Sequence, residues 1–337
     1  MSTLNRLTIV IPTFNRPNQL SDVLDSLFAS DIRTFEDVEV VVVDDGSDLP
    51  ARGIVENFIP RNPFRIAYIY QENAGPAEAR NNGFRLAANE IVLFIDDDIL
   101  VFPDLILKHV EAHREMPGSV ICGQSPYAIP SEIDSEYEYL NSLHNEGFDS
   151  IGVQDGERFV GVEIVASGNI SVEKHLFKNR SVYAPGLRMP IGEEYELSLY
   201  LKNANIPIYL APQIKGWHLQ PATIVDSCKQ NYKYGLGIAE LAIKRPDVLS
   251  LEQLRAIWET NRRLVADDPA TLKLKKIVRR LFANRLARTI LLWCASSSKA
   301  FVPSALLFVL YRLTVGSFLA AGILDGSKKF AKEKNEC

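Results

Sequence analysis

The sequence predicts an α/β fold in which a mostly parallel sheet is flanked by helices and followed by a helical C-terminal extension. Short apolar runs alternate with segments whose apolar residues recur at helical spacing, which is the pattern of βαβ units. The chain has 337 residues, enough to bury a large core, and its net charge of −5 argues against a nucleic-acid partner. Its four cysteines lie far apart and match neither a zinc motif nor a disulfide framework.

The first part of the chain alternates strands and helices. Leu7–Ile11 is apolar throughout, which is typical of a buried strand, and Asn18–Ser30 has apolar residues three and four apart, which predicts a helix. Further strands are predicted at Val38–Val43, Arg65–Tyr70, Ile91–Ile95 and Ser119–Gly123, with helices beginning near Gly53, Pro76 and Phe102.

The segments that follow are less regular. Gln124–Arg158 is acidic and irregular, and we expect it to cross the edge of the sheet. Phe159–Val165 alternates weakly, as an edge strand does, and a helix opens at Gly192. Two more strands are predicted at Ile206–Leu210 and Gln213–Trp217.

Residues 226–337 are predicted to form a helical region after a sheet domain over residues 1–225. Within it, Thr271–Ile290 carries seven Lys or Arg residues and no acid on a helical apolar pattern. Such a helix either lies on an anionic membrane surface or packs on the protein with a solvated basic face. Ala300–Leu324 is apolar but contains one proline and one arginine, which favours a re-entrant, interfacial or packed helical pair over a membrane span.

Three consecutive acids, Asp96, Asp97 and Asp98, follow the apolar run Ile91–Ile95. Open α/β sheets place ligands where buried strands end in such side chains. Because residues two apart in an extended chain point the same way, we expect Asp96 and Asp98 to share one target while Asp97 points elsewhere. Adjacent carboxylates suit a hard cation such as Mg²⁺ or Mn²⁺, although an acidic surface turn after a core strand gives the same run.

The other predicted strands also end in polar residues. Thr13 follows the first strand, Asp44 and Asp45 follow the second, and Asn73 follows the third. Parallel strands bring their carboxyl ends to one rim, where a nucleotide site belongs. The chain has neither GxGxxG after the first strand nor GxxxxGK[ST] anywhere, so dinucleotide-binding and P-loop proteins lose their main support.

Six segments in this chain occur in a specific order. They read IPTFNRP, DDGS, NAGPAEARNNG, FIDDDI, GEEYEL and GWH, and the part of the chain around them is roughly Leu7 to Gly235. In this order they resemble the inverting family 2 glycosyltransferases with a GT-A fold. The resemblance implies transfer of a sugar from a nucleotide-diphosphate sugar, with a UDP-sugar favoured and with Mn²⁺ or Mg²⁺ as the cofactor.

The resemblance also implies roles for individual residues. The nucleotide and donor-sugar site would comprise Pro12, Thr13, Phe14, Asp45, Arg80, Asp96, Asp97, Gly168 and Asn169. Asp98 would contact the metal directly, and His218 would help to hold the metal or the diphosphate. Without the resemblance, Arg80 is interpreted as an exposed helix residue and His218 as a surface residue at a strand end.

Glu194 stands at the position of the family's catalytic base. The family usually has Asp within a Glu-Asp pair, whereas this chain has Glu193-Glu194. The extra methylene moves the carboxylate outward, and catalysis is sensitive to displacements of about 1 Å. Acids in the first turn of a helix are also ordinary dipole partners, so both glutamates have a structural interpretation as well.

The sequence therefore predicts a metal-dependent inverting glycosyltransferase in bacterial-type cell-surface polysaccharide, glycolipid or glycoconjugate synthesis, with a glycan or lipid-linked acceptor. The alternatives are a degenerate GT-A domain that binds nucleotide or glycan without catalysis, and a sugar-phosphate nucleotidyltransferase. The second of these would need a Gly-rich phosphate loop after the first strand, which this chain lacks. Leu7–Ile11 is too short for a signal segment, so we expect a cytoplasmic catalytic part, peripheral at the inner membrane face if the C-terminal helices bind lipid.

Overall fold

The computed structural model divides the chain into two compact units. The described residues are 6–31, 35–61, 64–129, 133–134, 136–142, 157–186, 192–219, 223–297 and 302–336. The first unit comprises Met1–Ala128, Asn145–Arg188 and Tyr200–Gln220, and the second comprises Ile129–His144, Met189–Leu199 and Pro221–Cys337. The first unit contains the sheet, and the second contains the C-terminal helices.

Nine strands form one sheet within the described part of the chain. They are β1 (Arg6–Thr13), β2 (Asp37–Asp44), β3 (Arg65–Tyr70), β4 (Ile91–Ile95), β5 (Ile99–Val101), β6 (Val120–Gln124), β7 (Val160–Gly161), β8 (Asn169–Glu173) and β9 (Ile208–His218). The first helices are α1 (Pro17–Phe28), α2 (Arg52–Phe58), α3 (Pro76–Leu86), α4 (Leu105–Glu115) and α5 (Gly192–Asn203), the last with residues in both units.

The sheet is mixed, with parallel strands in its first half and antiparallel pairings in its second. Its order is β3-β2-β1-β4-β8-β6-β9-β5, with β7 paired to β9. The first four strands of that order pair in parallel, as predicted, and β6 is parallel to β9. However, β8 is antiparallel to both β4 and β6, and β5 and β7 are antiparallel to β9. Strands buried on both faces have the same apolar composition in either direction, so composition did not reveal the change.

The middle of the sheet is buried on both faces. Every residue of β4 is buried, and Arg6 is the exposed residue of β1. One side is covered by α1, which buries residues at helical spacing, namely Leu20, Val23, Leu24 and Leu27. On α3, a Cβ added at Gly83 would stand 2.3 Å from Val10 Cγ1 of β1, so this helix can approach the strand only at a glycine.

Three sequence predictions about the middle of the chain differ from the structure. Residues 136–142, inside the segment predicted to be irregular, are helical, and much of the rest of that segment lies outside the described residues. The predicted edge strand is confirmed over Val160–Gly161, which pairs with β9. The two strands predicted on either side of Pro212 are one strand, β9, because its ladder with β6 shifts register there and then continues.

The second unit consists largely of the C-terminal helices. They are α6 (Ile224–Lys244), α7 (Glu252–Asn261), α8 (Ala270–Ala283), α9 (Arg285–Ser297) and α10 (Ser304–Glu336). The prediction of a single helix over Thr271–Ile290 is wrong because the chain breaks at Asn284. The Asn284 side chain accepts a hydrogen bond from the backbone N–H of Ala287 at 2.9 Å and so caps the start of α9.

The apolar segment near the C-terminus is one helix, not the helical pair that the sequence predicts. Pro303 lies just before α10, where a missing N–H costs nothing, and Arg312 is exposed on its surface. In the described chain, Ala305–Lys332 of this helix is long and apolar enough to cross a membrane by length and composition. Half of its most apolar window is buried inside the protein.

Helices α6 and α10 approach each other at glycines. A Cβ added at Gly322 would stand 2.1 Å from the carbonyl oxygen of Tyr232, and one added at Gly235 would stand 2.3 Å from that of Leu319. Real Cβ atoms do not approach backbone so closely, so the two helix backbones are in direct contact along this crossing. Glycine at these two positions is therefore required for the packing of the second unit.

Candidate functional site

The carboxyl ends of β1 and β4 bring together a cluster of charged side chains. Arg16, in the turn after β1, donates through Nη1 to Asp97 Oδ1 at 3.0 Å and to Asp98 Oδ2 at 2.6 Å. Thr13, the last residue of β1, donates from Oγ1 to Asp97 Oδ2 at 2.8 Å. These contacts form because β1 and β4 are paired neighbours in the sheet.

Asp96 binds a different partner from the other two acids. Its Oδ1 accepts a hydrogen bond from Arg80 Nη2 at 2.6 Å. The prediction that Asp96 and Asp98 share a target is therefore wrong, since Asp97 and Asp98 share Arg16. The strand ends at Ile95 and residues 96–98 form a turn, closed by a bond from the Ile99 N–H to the Asp96 carbonyl at 3.1 Å, so the alternation of an extended chain no longer applies.

Burial raises the pKa of Asp97 to about 6. The Arg16 guanidinium lowers this pKa, the neighbouring Asp98 raises it, and the bond from Thr13 lowers it. Burial dominates because the carboxyl has little contact with water, which would otherwise stabilise its charged form. Asp97 is therefore a group in this cluster that can exchange a proton under weakly acidic conditions.

Asp45 fixes the loop that follows β3. Its carboxylate accepts hydrogen bonds from Gln71 Nε2 at 2.7 Å and from the backbone N–H groups of Ala74 and Gly75 at 2.9 Å each. The sequence predicts a nucleotide contact for this residue, and the structure places it at the carboxyl end of β2, beside that loop. In the described structure its oxygens already bind protein donors.

Asp44 is fully buried and fixes the turn after β2. Its carboxylate accepts bonds from the backbone N–H groups of Ser47 at 2.9 Å and Ala51 at 2.8 Å, and from the Tyr68 hydroxyl at 2.8 Å. Burial alone would raise the pKa of Asp44, but these hydrogen bonds outweigh it and hold the pKa below its usual value. The role of Asp44 in the described structure is thus to shape the loop beside Asp45.

Arg80 and Gly168 lie on two sides of Asp96. Arg80 is 5% exposed, so its interpretation as an ordinary exposed helix residue is wrong. The guanidinium carbon of Arg80 also lies 5.5 Å from the centre of the Tyr183 ring. The carbonyl of Gly168 accepts from the Asp96 N–H at 3.0 Å, and a Cβ there would stand 2.9 Å from Asp96 Oδ2. A side chain at residue 168 would therefore displace the Asp96 carboxylate from this position.

Asn169 is buried, and its side chain binds other core residues. Its Oδ1 lies 2.8 Å from His109 Nε2, and the other ring nitrogen of His109 lies 2.8 Å from Ser171 Oγ. Ser171 Oγ also lies 2.8 Å from His113 Nε2, and His113 Nδ1 lies 3.2 Å from Glu173. Asn169 is thus positioned by a buried polar network, while its neighbour Gly168 contacts Asp96.

His218 lies beside Asp98. The antiparallel pairing of β5 with β9 places it opposite Ile99, and its Nε2 lies 3.6 Å from Asp98 Oδ1. The Tyr127 ring packs edge-on against the imidazole, with the ring centres 5.2 Å apart. Asp98 and His218 are thus neighbours, and their roles at a metal or diphosphate stay predictions from the resemblance.

The two donors fit a divalent ion that keeps several positions for water and phosphate oxygens. One carboxylate and one imidazole are suitable ligands for Mn²⁺. Mg²⁺ prefers oxygen ligands and is usually bound through one or two carboxylates, with water and phosphate oxygens as its other ligands. Within the described residues, no group of three or more His, Cys, Asp or Glu side chains could hold an ion by itself. A metal at Asp98 would therefore need further ligands from water or substrate.

Two predicted site residues at the end of β1 differ in exposure. Pro12 is buried within the strand, whereas the Phe14 side chain is 45% exposed next to Thr13. An exposed aromatic ring at a rim of polar groups is available for stacking on a flat ligand.

Glu194 lies in the first turn of α5 and belongs to the second unit. Its carbonyl accepts a hydrogen bond from Ser198 Oγ at 2.6 Å, and its side chain is half-buried. Burial, and then the Glu194 carboxylate, raise the pKa of the adjacent Tyr195 hydroxyl. The role of Glu194 as a base stays a prediction from the sequence.

Arg16 and His109 are site residues that the sequence analysis did not identify. The signal for Arg16 was present, since a cation in the turn after β1 must lie near acids that follow the adjacent β4. His109 lies in the middle of α4, and its spacing is that of an ordinary core position. Only the tertiary packing of α4 on β8 reveals its bond to Asn169.

Comparison with known proteins identifies the fold class first. The structure is similar to that of a mannosyltransferase from Pyrobaculum calidifontis, solved in complex with GDP-Man and Mn²⁺, with a TM-score of 0.60 and 15% sequence identity over 94% of this chain and 86% of that chain. At this identity the likeness shows the fold alone, which is of the GT-A type.

Sequence comparison then identifies the family. Residues 8–160 match the model of Glycosyl transferase family 2. The chain is 35% identical to the glycosyltransferase GlyA of Streptococcus pneumoniae over 69% of this chain and 33% of that protein. It is 39% identical to validoxylamine A glucosyltransferase of Streptomyces hygroscopicus over 35% of this chain and 28% of that protein. The chain belongs to the family 2 glycosyltransferases, and it spans a third or less of the length of these two relatives.

Proposed function

We propose that this protein transfers a sugar from a nucleotide-diphosphate sugar to an acceptor hydroxyl with inversion at the anomeric carbon. The observation that carries the proposal is the rim at the carboxyl ends of β1, β2 and β4, which brings Thr13, Asp45 and Asp98 to one edge of the sheet. Such an edge is where open α/β sheets bind nucleotides. The family assignment and the named relatives support the same reaction class.

The donor and its metal follow from the charges at this rim. Asp98 and His218 would hold Mn²⁺ or Mg²⁺, which supplies positive charge to the diphosphate leaving group. The similar mannosyltransferase structure contains a nucleotide sugar and Mn²⁺, which supports this choice of cofactor. The exposed Phe14 ring would stack on the base, and a UDP-sugar is the donor that we propose from the sequence resemblance.

The remaining chemistry is a displacement at the anomeric carbon. The acceptor oxygen forms a bond to that carbon from the face opposite the nucleotide as the bond to the diphosphate breaks. An acceptor hydroxyl is a weak acid, so a base must take its proton, and Glu194 is the residue that we propose from the sequence. The acceptor class that we propose is a glycan or lipid-linked sugar of the bacterial cell surface.

The test is a transfer assay with a panel of nucleotide sugars and Mn²⁺. Glu194→Gln should retain donor binding and lose transfer, whereas Asp98→Asn should lose both metal-dependent donor binding and transfer. Glu252→Gln, in the first turn of α7, is the matched control and should behave as the unaltered protein. Normal turnover by Glu194→Gln would reject this residue as the base, and donor binding without transfer in the unaltered protein would favour a degenerate GT-A domain.

We also propose that the C-terminal helices bind the anionic inner face of a membrane. Large apolar side chains are exposed on three helices, namely Leu274, Ile277, Val278, Leu281, Leu286, Ile290, Trp293, Leu306, Val309 and Leu313. Exposed cations lie among them on α8 and α9, including Lys275, Arg280 and Arg285. A helix surface with this composition partitions into the interface of an anionic bilayer.

Vesicle sedimentation tests this second part of the proposal. The protein should sediment with vesicles that contain phosphatidylglycerol and much less with phosphatidylcholine alone. The double change Leu281→Ser and Trp293→Ser should reduce sedimentation, whereas Leu49→Ser, at a highly exposed leucine of the first unit, should not. Equal sedimentation of both variants would contradict the role of these helices.

A further inference from the structure

A cleft in the first unit lies at the opposite end of β4 from the acidic cluster. It has a volume of about 510 Å³, and its lining residues come from α3, from Glu90 before β4, and from residues 174–181 after β8. β4 has five residues, so its two ends are roughly 13 Å apart, because a strand rises about 3.3 Å per residue. The cleft is therefore separate from the rim that binds the donor in the proposed function.

The lining of this cleft is strongly basic. Its cations are Arg85, Lys174, Lys178 and Arg180, and its acid is Glu90. Arg85 is paired with Glu78 at 3.1 Å, so the other three cations carry the positive charge of the cleft. Glu90 Oε1 accepts the backbone N–H of His175 at 2.9 Å and lies 2.9 Å from Nδ1 of the same residue. The carboxylate is thus already bound to a neighbouring residue, and the cleft retains a net positive charge.

Lys174 is the residue that best indicates an anionic ligand. Its ammonium donates to the carbonyl of Ala87 at 2.6 Å and lies 5.5 Å from the centre of the Phe84 ring. Among the described residues it makes no ion pair with a carboxylate. An ammonium has three N–H donors, so this half-buried group is held in place with donors left for a ligand in the cleft.

The cleft also has an aromatic side. The Phe84 and Phe177 rings line it and pack edge to face, with their centres 6.0 Å apart. Phe84 is 8% exposed and Phe177 is 3% exposed, so the cleft meets a narrow apolar edge of these rings. A ligand with both a charged group and an apolar face suits such an edge beside cations, and the apolar C–H face of a sugar ring is of this kind. The cleft volume lies within the usual range of small-molecule sites.

We propose that this cleft is a second binding site, specific for a hexose that carries an anionic group. Lys174 and Lys178 bind the phosphate or carboxylate, and the sugar ring contacts the exposed edge of Phe84. The Arg180 side chain is stacked 4.1 Å above the centre of the Tyr200 ring, which fixes its guanidinium at the same cleft. The site requires neither the divalent ion nor the nucleotide of the proposed reaction.

Calorimetric titration of the full chain, without metal or nucleotide, tests the proposal. The probes are glucose 6-phosphate, glucuronate, glucose and inorganic phosphate. The two charged hexoses should bind more tightly than glucose or phosphate, and the tighter of the two identifies the anionic group. Phosphate binding as tightly as glucose 6-phosphate would overturn the role of the aromatic rings, and absence of binding by both charged hexoses would overturn the site.

Variants of the cleft lysines test whether the charged hexoses bind in this cleft. Lys174→Met should weaken binding of the charged hexoses by about tenfold, since one charge-assisted bond is lost. Lys178→Gln, at an exposed position, should weaken it in the same direction. Lys229→Gln is the control, at a lysine of α6 that is 68% exposed, and should leave the affinity unchanged. Unchanged affinity in both cleft variants would contradict the proposal, whatever the outcome of the transfer assay.

Discussion

Replacing His109 with glutamine should remove most of the acid sensitivity that this imidazole gives to the fold. His109 lies on α4 with no exposed surface, and both its ring nitrogens contact uncharged partners, Asn169 and Ser171. Burial, acting against the hydrogen bond to Asn169, lowers the pKa of His109 from 6.5 to about 3. The imidazole is therefore neutral in the folded protein at all ordinary pH values.

The size of the effect follows from linkage. Between pH 6.5 and pH 3 the unfolded chain binds a proton at His109 that the folded protein does not bind, so the free energy of unfolding falls as the pH falls through this window. At pH 5 the loss from this one residue is about 2 kcal/mol relative to pH 8, since each pKa unit corresponds to about 1.4 kcal/mol. Below pH 3 no further loss arises from His109.

Urea unfolding at pH 8 and pH 5 measures this contribution. The unaltered protein should lose about 2 kcal/mol more than His109→Gln over this interval. Val110→Ala, at the buried neighbour on α4, is the control, because it should lower the free energy of unfolding by the same amount at both pH values. An equal pH dependence in His109→Gln and the unaltered protein would refute the account of this buried imidazole.

Three further changes test other parts of the structure. Asp44→Asn should cost about 2–3 kcal/mol of unfolding free energy, because its amide cannot accept every bond that the buried carboxylate accepts; an unchanged urea midpoint would contradict this. Gly322→Val should lower the free energy of unfolding by about 3 kcal/mol, because its side chain meets the Tyr232 carbonyl. Gly316→Ala is the control and should not destabilise the protein, because a Cβ there meets nothing within 4 Å. Equal stability of the two variants would exclude the close crossing of α6 and α10. Without metal, Arg16→Met should lower the free energy of unfolding by about 1–2 kcal/mol, a value reduced because the arginine is 41% exposed. The same change should enlarge the stabilisation by Mn²⁺. An unchanged response to Mn²⁺ in a melting assay would count against the ion lying beside Asp98.

The first strands and helices were predictable from the sequence because their apolar patterns are strong and local. The prediction of strands at Arg65–Tyr70 and Ile91–Ile95 is confirmed to the residue. The proximity of Asp98 and His218 could be predicted only from the family resemblance. The two residues are distant in the sequence and are brought together by the pairing of β5 with β9.

The rest depended on information that a local pattern does not contain. The direction of β8 depends on its pairing with β4, a strand that is remote in the chain. The partners of Asp97 depend on the turn at residues 96–98. The glycine crossing of α6 and α10 joins Gly235 to a helix about ninety residues later, and helical periodicity gives no sign of it. The break at Asn284 was visible as a capping residue, but the continuous basic pattern around it indicated one helix.

Binding of Mn²⁺, followed by electron paramagnetic resonance with and without a UDP-sugar, tests the central claim most directly. We expect the unaltered protein to bind one Mn²⁺ that the UDP-sugar tightens, and Asp98→Asn to weaken this binding by about tenfold or more. The control is Asp104→Asn, at an acid whose side chain is 52% exposed before α4, which should bind Mn²⁺ normally. If Asp98→Asn binds Mn²⁺ and the UDP-sugar as tightly as the control, the ion does not lie at Asp98 and the proposed mechanism is wrong.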